Sequence, residues 1–108
     1  MHLAVSVGIS PRESLRDWAE FSAKLEQRGV DRVWLHLDAD CLDDALMPAV
    51  DWRVDGGLSV TEVVSLARPL VQRGLIAGMD VTIYNPGLDS ADLAAGRVLL
   101  DAVAGILA

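Results

Sequence analysis

Cationic side chains are scarce in this sequence: 9 Lys and Arg stand against 16 Asp and Glu, a formal net charge of −7 at pH 7. A phosphate backbone would be repelled by that balance, which argues against nucleic acid as a partner. Aromatic residues make up 5% of the chain, too few for a base-stacking surface. Cysteine occurs once, at Cys41, which excludes an intrachain disulfide framework and a thiolate zinc cluster and suits a reducing cytoplasm. No run of about 18 uninterrupted apolar residues is present, so nothing reads as membrane-spanning. The segment from Met1 to Gly8 has no cationic region and too short an apolar run for a secretory signal. What is present is 108 residues with 52% hydrophobic content and a mean hydropathy of +0.33. That suffices for one domain with one core and is too apolar for a disordered tail. An apolar excess at this size points to a generous core or to surface that meets a partner.

The hydrophobic pattern alternates between two periods. Leu3 to Val7 reads as a strand closed by Gly8. Ser10-Pro11, with Glu13 three residues after the serine, reads as a helix start. Leu15, Trp18, Phe21 and Leu25 then recur at helical spacing until Gly29. Val30 to Leu37 is a strand whose run Val33, Trp34, Leu35, Leu37 suits burial on both faces. Residues 44–59 read as a long loop. Ser59 caps a second helix, with Glu62 completing a capping box. Its apolar face is Val60, Val63, Val64, Ala67 and Leu70, and Pro69 is expected to kink or weaken it. Leu75 to Tyr84 is a third strand. A last helix starts at Asp89 or Ser90, with Leu93, Val98, Leu99, Val103 and Ile106 on its buried side. Strand and helix alternating three times predict an α/β fold, a parallel sheet with helical crossovers.

Ligands of open parallel sheets sit beyond the carboxyl ends of the strands. The second strand ends there in Asp38-Ala39-Asp40-Cys41-Leu42-Asp43-Asp44. Asp38 and Asp40 are spaced i, i+2, so on an extended backbone they point to one side. Two close carboxylates repel unless a proton or a cation lies between them. A hard divalent cation such as Mg²⁺ or Mn²⁺ fits oxygen donors, with Asp43 near enough to join through the turn. The blander reading is solvated loop carboxylates, one of them capping a turn. Spacing alone leaves the chemistry open, because an apolar strand followed by Asp-x-Asp is shared by metal-using phosphatases and glycosyl transferases. The haloacid-dehalogenase pattern places Thr or Val after the second Asp, where this chain has Cys41.

The wider context is more specific. His36 through Ala49, followed by Gly56-Gly57-Leu58-Ser59, resembles the ureohydrolase family of arginase, agmatinase and formimidoylglutamase. That family carries an Asp-x-Asp-x-x-Asp-Pro segment and then Gly-Gly-Leu before a helix. Gly78-Met79-Asp80 with Asn85-Pro86 resembles the family's Gly-x-Asp-x-x-x-x-Asn-Pro strand end. The resemblance implies a three-layer α/β/α arginase-like fold, of which residues 1–108 form a single partial domain, about the C-terminal third. It implies Asp38 and Asp40 as ligands of a paired Mn²⁺ site; Asp43, near through the turn, and His36, in the strand that leads to Asp38, are further candidates from their positions. The resemblance also implies a small guanidino or amidino substrate and a homo-oligomer.

The departures qualify those expectations. The family's upstream His and its Asp-x-His-x-Asp segment have no counterpart here, and His2 lacks such neighbours. Two aspartates cannot fill the shells of two ions that each want around five or six ligands. The chain is therefore expected to be inactive alone and to need a partner chain carrying the missing ligands. The other readings are a non-catalytic assembly or regulatory module of the same fold and, less favoured, a metal-dependent phosphatase. Asp44 stands in place of the family's Pro, and His36 in place of a common Ser, where a satisfied core histidine is the blander role. Ile83 stands where arginases place the Glu that pairs with a guanidinium, which puts arginine specificity in question. Asp80 is expected to orient a neighbouring group or to serve as a structural carboxylate, and Cys41 to be a small buried filler.

Overall fold

The computed structural model describes residues 3–8, 15–53 and 55–108, with side chains from Glu20 onward apart from Ser22 and Val54. Strand β1 spans Leu3–Gly8, helix α1 Leu15–Gln27, β2 Val30–Asp38, α2 Val60–Gln72, β3 Ile76–Thr82 and α3 Ala94–Leu107. The three strands form one parallel sheet in the order β1-β2-β3. Parallel neighbours need a crossover, and α1 and α2 supply them, as the alternating periods predict. The proposed cap at Ser10 and the side chains of Leu15 and Trp18 fall outside the described residues.

Both crossovers step across the sheet in the same direction. Right-handed connections therefore place their helices on the same face. The burial of β2 records the result: Val33, Leu35 and Leu37 are each 0% exposed, whereas Trp34 between them is 45% exposed. Val63, Leu66, Ala67 and Leu70 of α2, with Leu99 and Ile106 of α3, complete that core. The described elements thus form two layers, a sheet and helices on one face. The expectation that β2 is buried on both faces does not hold here, because no described element covers the face carrying Trp34. Phe21 also differs from the expected helix stripe: Leu25 is buried, but Phe21 is 40% exposed.

Local chemistry explains most element ends. The capping box at α2 is present, with Glu62 N donating to Ser59 Oγ and Ser59 N donating to Glu62 Oε1, each at 3.1 Å. Pro69 lies in the last turn of α2, where it removes the bond its N–H would make to the Ser65 carbonyl, and the helix still runs through it to Gln72. Strand β3 ends at Thr82, two residues before the expected Tyr84, because Ile83 adopts a left-handed φ of +76°. A β-branched residue is strained there. Ile83→Gly is expected to raise stability by about 1 kcal/mol, read as an upward shift of the urea midpoint.

Helix α3 begins at Ala94, later than the expected Asp89 or Ser90, and Leu93 ahead of it is left-handed and 49% exposed rather than buried. Asp89 still caps the helix from a distance. Its carboxylate accepts from the backbone N–H of Ser90, Ala95 and Gly96 and from the Tyr84 hydroxyl at 2.7 Å. Burial pushes this carboxyl upward, but the Tyr84 bond and the three N–H donors outweigh it and hold the pKa at about 2. A depressed carboxylate pKa stabilises the fold above the ordinary carboxylate range and loses that contribution as pH falls through about 2. Asp89→Asn is therefore expected to melt a few degrees lower than the parent at neutral pH. The gap should close as the medium is acidified toward pH 2, and a gap that is constant with pH would contradict the capping role.

Candidate metal centre

The open face of the sheet carries the polar residues. Register pairs Trp34 with Gly78, His36 with Asp80 and Asp38 with Thr82. Alternation along each strand puts all six on the face opposite the helices. They are joined by a continuous set of hydrogen bonds. Trp34 Nε1 donates to Asp80 Oδ2 at 2.7 Å. Asp80 Oδ1 accepts from His36 Nδ1. His36 Nε2 lies 2.6 Å from Asp38 Oδ1, and the Thr82 hydroxyl donates to the same oxygen at 2.5 Å. Gly78 makes room for the indole: a Cβ there would sit 2.4 Å from Trp34 Cζ3.

Electrostatics follow the same line. The bond to Asp80 is the largest influence on the His36 imidazole; burial opposes it and the Asp38 and Asp80 charges reinforce it, so its pKa lies above the ordinary histidine value. The Trp34 indole, and then His36, hold Asp80 below the usual carboxylate range. His36 is half-buried, and both of its ring nitrogens are paired with carboxylates.

Beyond Asp38 the backbone leaves the extended state. Ala39–Cys41 forms a 3-10 turn that buries Ala39 and Cys41, at 0% and 2% exposure. The same-side argument for Asp38 and Asp40, which assumed a continuing strand, therefore fails geometrically. The two are nevertheless close enough to interact: burial and then the Asp38 charge raise the Asp40 carboxyl above its ordinary value. Burial, with Asp40 and Asp38, pushes the Cys41 thiol up to about 12, which fits the expected buried filler. Asp43 is occupied with the loop. Its carboxylate accepts from Ala45 N and Gly57 N, each at 3.2 Å. Leu42 and Leu58 form a parallel bridge beside it, and this bridge fastens the acidic turn to the start of α2. Arg53 pairs with Asp44, and Asn85 ties the turn after β3 to Asp51 and Ala49.

The donor set suits a hard cation in kind. Asp38 and Asp40 offer carboxylate oxygens at the strand end, and an ion between them would relieve their mutual repulsion. It falls short in number, since no group of three or more His, Cys, Asp or Glu able to hold a metal occurs among the described residues. Asp38 and Asp40 would hold one edge of a metal centre. Thr82 and Trp34 were not singled out from the sequence. The signal for them was the period-2 pattern, with Arg32, Trp34, His36 and Asp38 alternating along β2 and Asp80 and Thr82 along β3.

A parallel α/β sheet with an acid pair at its carboxyl edge defines the general class, and comparison with known proteins defines the family. The Arginase family profile matches residues 9–105. The N(1)-aminopropylagmatine ureohydrolase of Thermus thermophilus is 36% identical over 73 residues, covering 67% of this chain and 25% of its own. The arginase of Staphylococcus aureus is 44% identical over 66 residues, 61% of this chain and 22% of its own. The crystal structure of Bacillus caldovelox arginase superposes with a TM-score of 0.72 at 32% identity, covering 89% of this chain and 31% of that one. This chain belongs to the arginase family. It spans about a quarter of the length of these curated relatives and about a third of the solved arginase chain.

Proposed function

We propose that this chain contributes the carboxylate edge of a Mn²⁺-dependent hydrolase centre acting on a C–N bond of a guanidino or related amidino substrate. The observation that supports this most directly is the placement of Asp38 and Asp40 at the carboxyl end of the central strand in a chain of the arginase family. Asp38 and Asp40 would hold the ion. Thr82 fixes Asp38 Oδ1, and the Leu42–Leu58 bridge holds the turn that carries Asp40. When bound, the metal supplies water activation and stabilisation of developing negative charge. The remaining donors come from polypeptide bearing a His and an Asp-x-His-x-Asp segment. Ile83 presents an aliphatic surface, 47% exposed, beside the end of β3. It offers no charged partner to a guanidinium, so no carboxylate at this position selects for arginine.

The test is hydrolysis of agmatine and arginine with Mn²⁺, by the chain alone and after mixing with a polypeptide that carries the missing segments. No turnover alone and turnover of a guanidino compound in the mixture is the expected result. Robust turnover by the chain alone would contradict the need for outside ligands. An inert, well-folded mixture would favour the assembly-module reading.

A further inference from the structure

We propose that His36 is a nitrogen ligand of the cation held by Asp38, aimed by Asp80. The inference rests on the reading of Asp38 as a metal ligand and adds a donor of a different kind. It starts from the direction of the two ring nitrogens. Nδ1 is taken by Asp80, and Asp80 is itself fixed through its other oxygen by the Trp34 indole at 2.7 Å. A carboxylate behind one ring nitrogen is how proteins fix the orientation of a ligating imidazole and raise the basicity of its free end. The other nitrogen, Nε2, is paired with Asp38 at the strand terminus, 2.6 Å from Oδ1. Neighbouring donors around a small divalent cation, with bonds of about 2.1 Å, lie about 3 Å apart. The two atoms are therefore already spaced almost as adjacent ligands are, and an ion can replace the shared proton with a small opening of the pair.

The remaining neighbours are compatible with that arrangement. The Thr82 hydroxyl donates to Asp38 and lies 3.5 Å from Nε2, so it steadies the Asp38 oxygen. The imidazole side chain is 35% exposed, so an ion reaches it from solvent. A histidine that served only to neutralise two carboxylates would show the same resting contacts but would not bind an ion. Mixed nitrogen and oxygen donors also shift preference: imidazole favours Zn²⁺ and Co²⁺ over Mn²⁺ more than a carboxylate does.

The experiment uses the 108-residue protein loaded with Mn²⁺ and read by pulsed electron paramagnetic resonance for coupling to imidazole nitrogen, together with titrations of Mn²⁺ and Zn²⁺. The chain has two histidines, so His2→Gln is the control. Nitrogen coupling is expected in the parent and in His2→Gln, and its loss in His36→Gln. Zn²⁺ affinity should fall at least tenfold in His36→Gln, and Mn²⁺ affinity by less. Asp80→Asn should keep the coupling and bind about tenfold more weakly, as a positioning residue does. Ion binding that depends on Asp38 and Asp40 but shows no nitrogen coupling and no change in His36→Gln overturns the inference and leaves the parent reading standing. Binding indifferent to all of these residues, or no binding of either ion, overturns both.

Discussion

Gly57→Ala is expected to lower the melting temperature by on the order of 20 °C, more than any other glycine replacement in the loop. A methyl group there would lie 2.7 Å from Asp43 N and Leu42 C and 2.8 Å from Asp43 Cα. These are backbone atoms, which cannot swing aside as a side-chain end can. Relief requires separating the two segments and breaking the bonds from Asp43 N to Leu58 O at 2.9 Å and from Leu58 N to Cys41 O at 2.8 Å. Overpacking costs about 1–3 kcal/mol and each lost hydrogen bond about 1 kcal/mol. A total of about 3–5 kcal/mol is a large part of the stability of a domain of this size. Gly56 supplies the contrast. It has a φ of +72° but open space around its Cβ position, so Gly56→Ala carries only the left-handed penalty of about 1–2 kcal/mol. Thermal melts of the two variants side by side test this. Equal losses, or a larger loss at Gly56, would contradict the close approach at Gly57. The same bridge fastens the acidic turn, so Gly57→Ala should also weaken any metal binding that survives.

The second large effect concerns function rather than stability. Asp38→Ala combined with Asp40→Ala is expected to lower guanidino hydrolysis in the completed assembly by at least a thousandfold. That corresponds to about 4 kcal/mol of transition-state stabilisation, within what a metal ion supplies. The fold should not suffer to match. Asp40 is held above its ordinary pKa by burial and by Asp38, so its charge is a cost to the metal-free protein; removing it offsets the lost contacts of Asp38 with His36 and Thr82, and the melting temperature changes little. A variant that loses activity because it unfolds would contradict this account. One that stays folded and retains most of its activity would remove the two aspartates from the site.

The sequence made some of this legible and concealed the rest for physical reasons. Alternating periods revealed the strand and helix order because burial on one helical face and in a strand leaves different spacings. The Ser59–Glu62 box was readable because capping is local. The start of α3 was not, because Asp89 reaches Ala95 and Gly96 across a loop whose geometry is set by Leu93 in the left-handed region. The end of β3 was hidden similarly, since nothing about isoleucine announces a positive φ. Trp34 looked like one more residue in a buried run. Its exposure depends on which face the crossover helices choose, which is a property of strand order. The acid pair was found from spacing and family resemblance together, although the turn at Ala39–Cys41 replaced the extended geometry first assumed. The chain of contacts from Trp34 through Asp80 and His36 to Asp38 depends on the register of two strands more than 40 residues apart in sequence, which the pattern of neither strand encodes by itself.

The central claim is that Asp38 and Asp40 bind a divalent metal. Calorimetric titration of the 108-residue protein with Mn²⁺, beside the Asp38→Ala, Asp40→Ala variant under identical conditions, tests it most directly. A weak but saturable heat in the parent, absent from a variant whose circular dichroism is unchanged, is the predicted result. Indistinguishable titrations of the two proteins would contradict the claim.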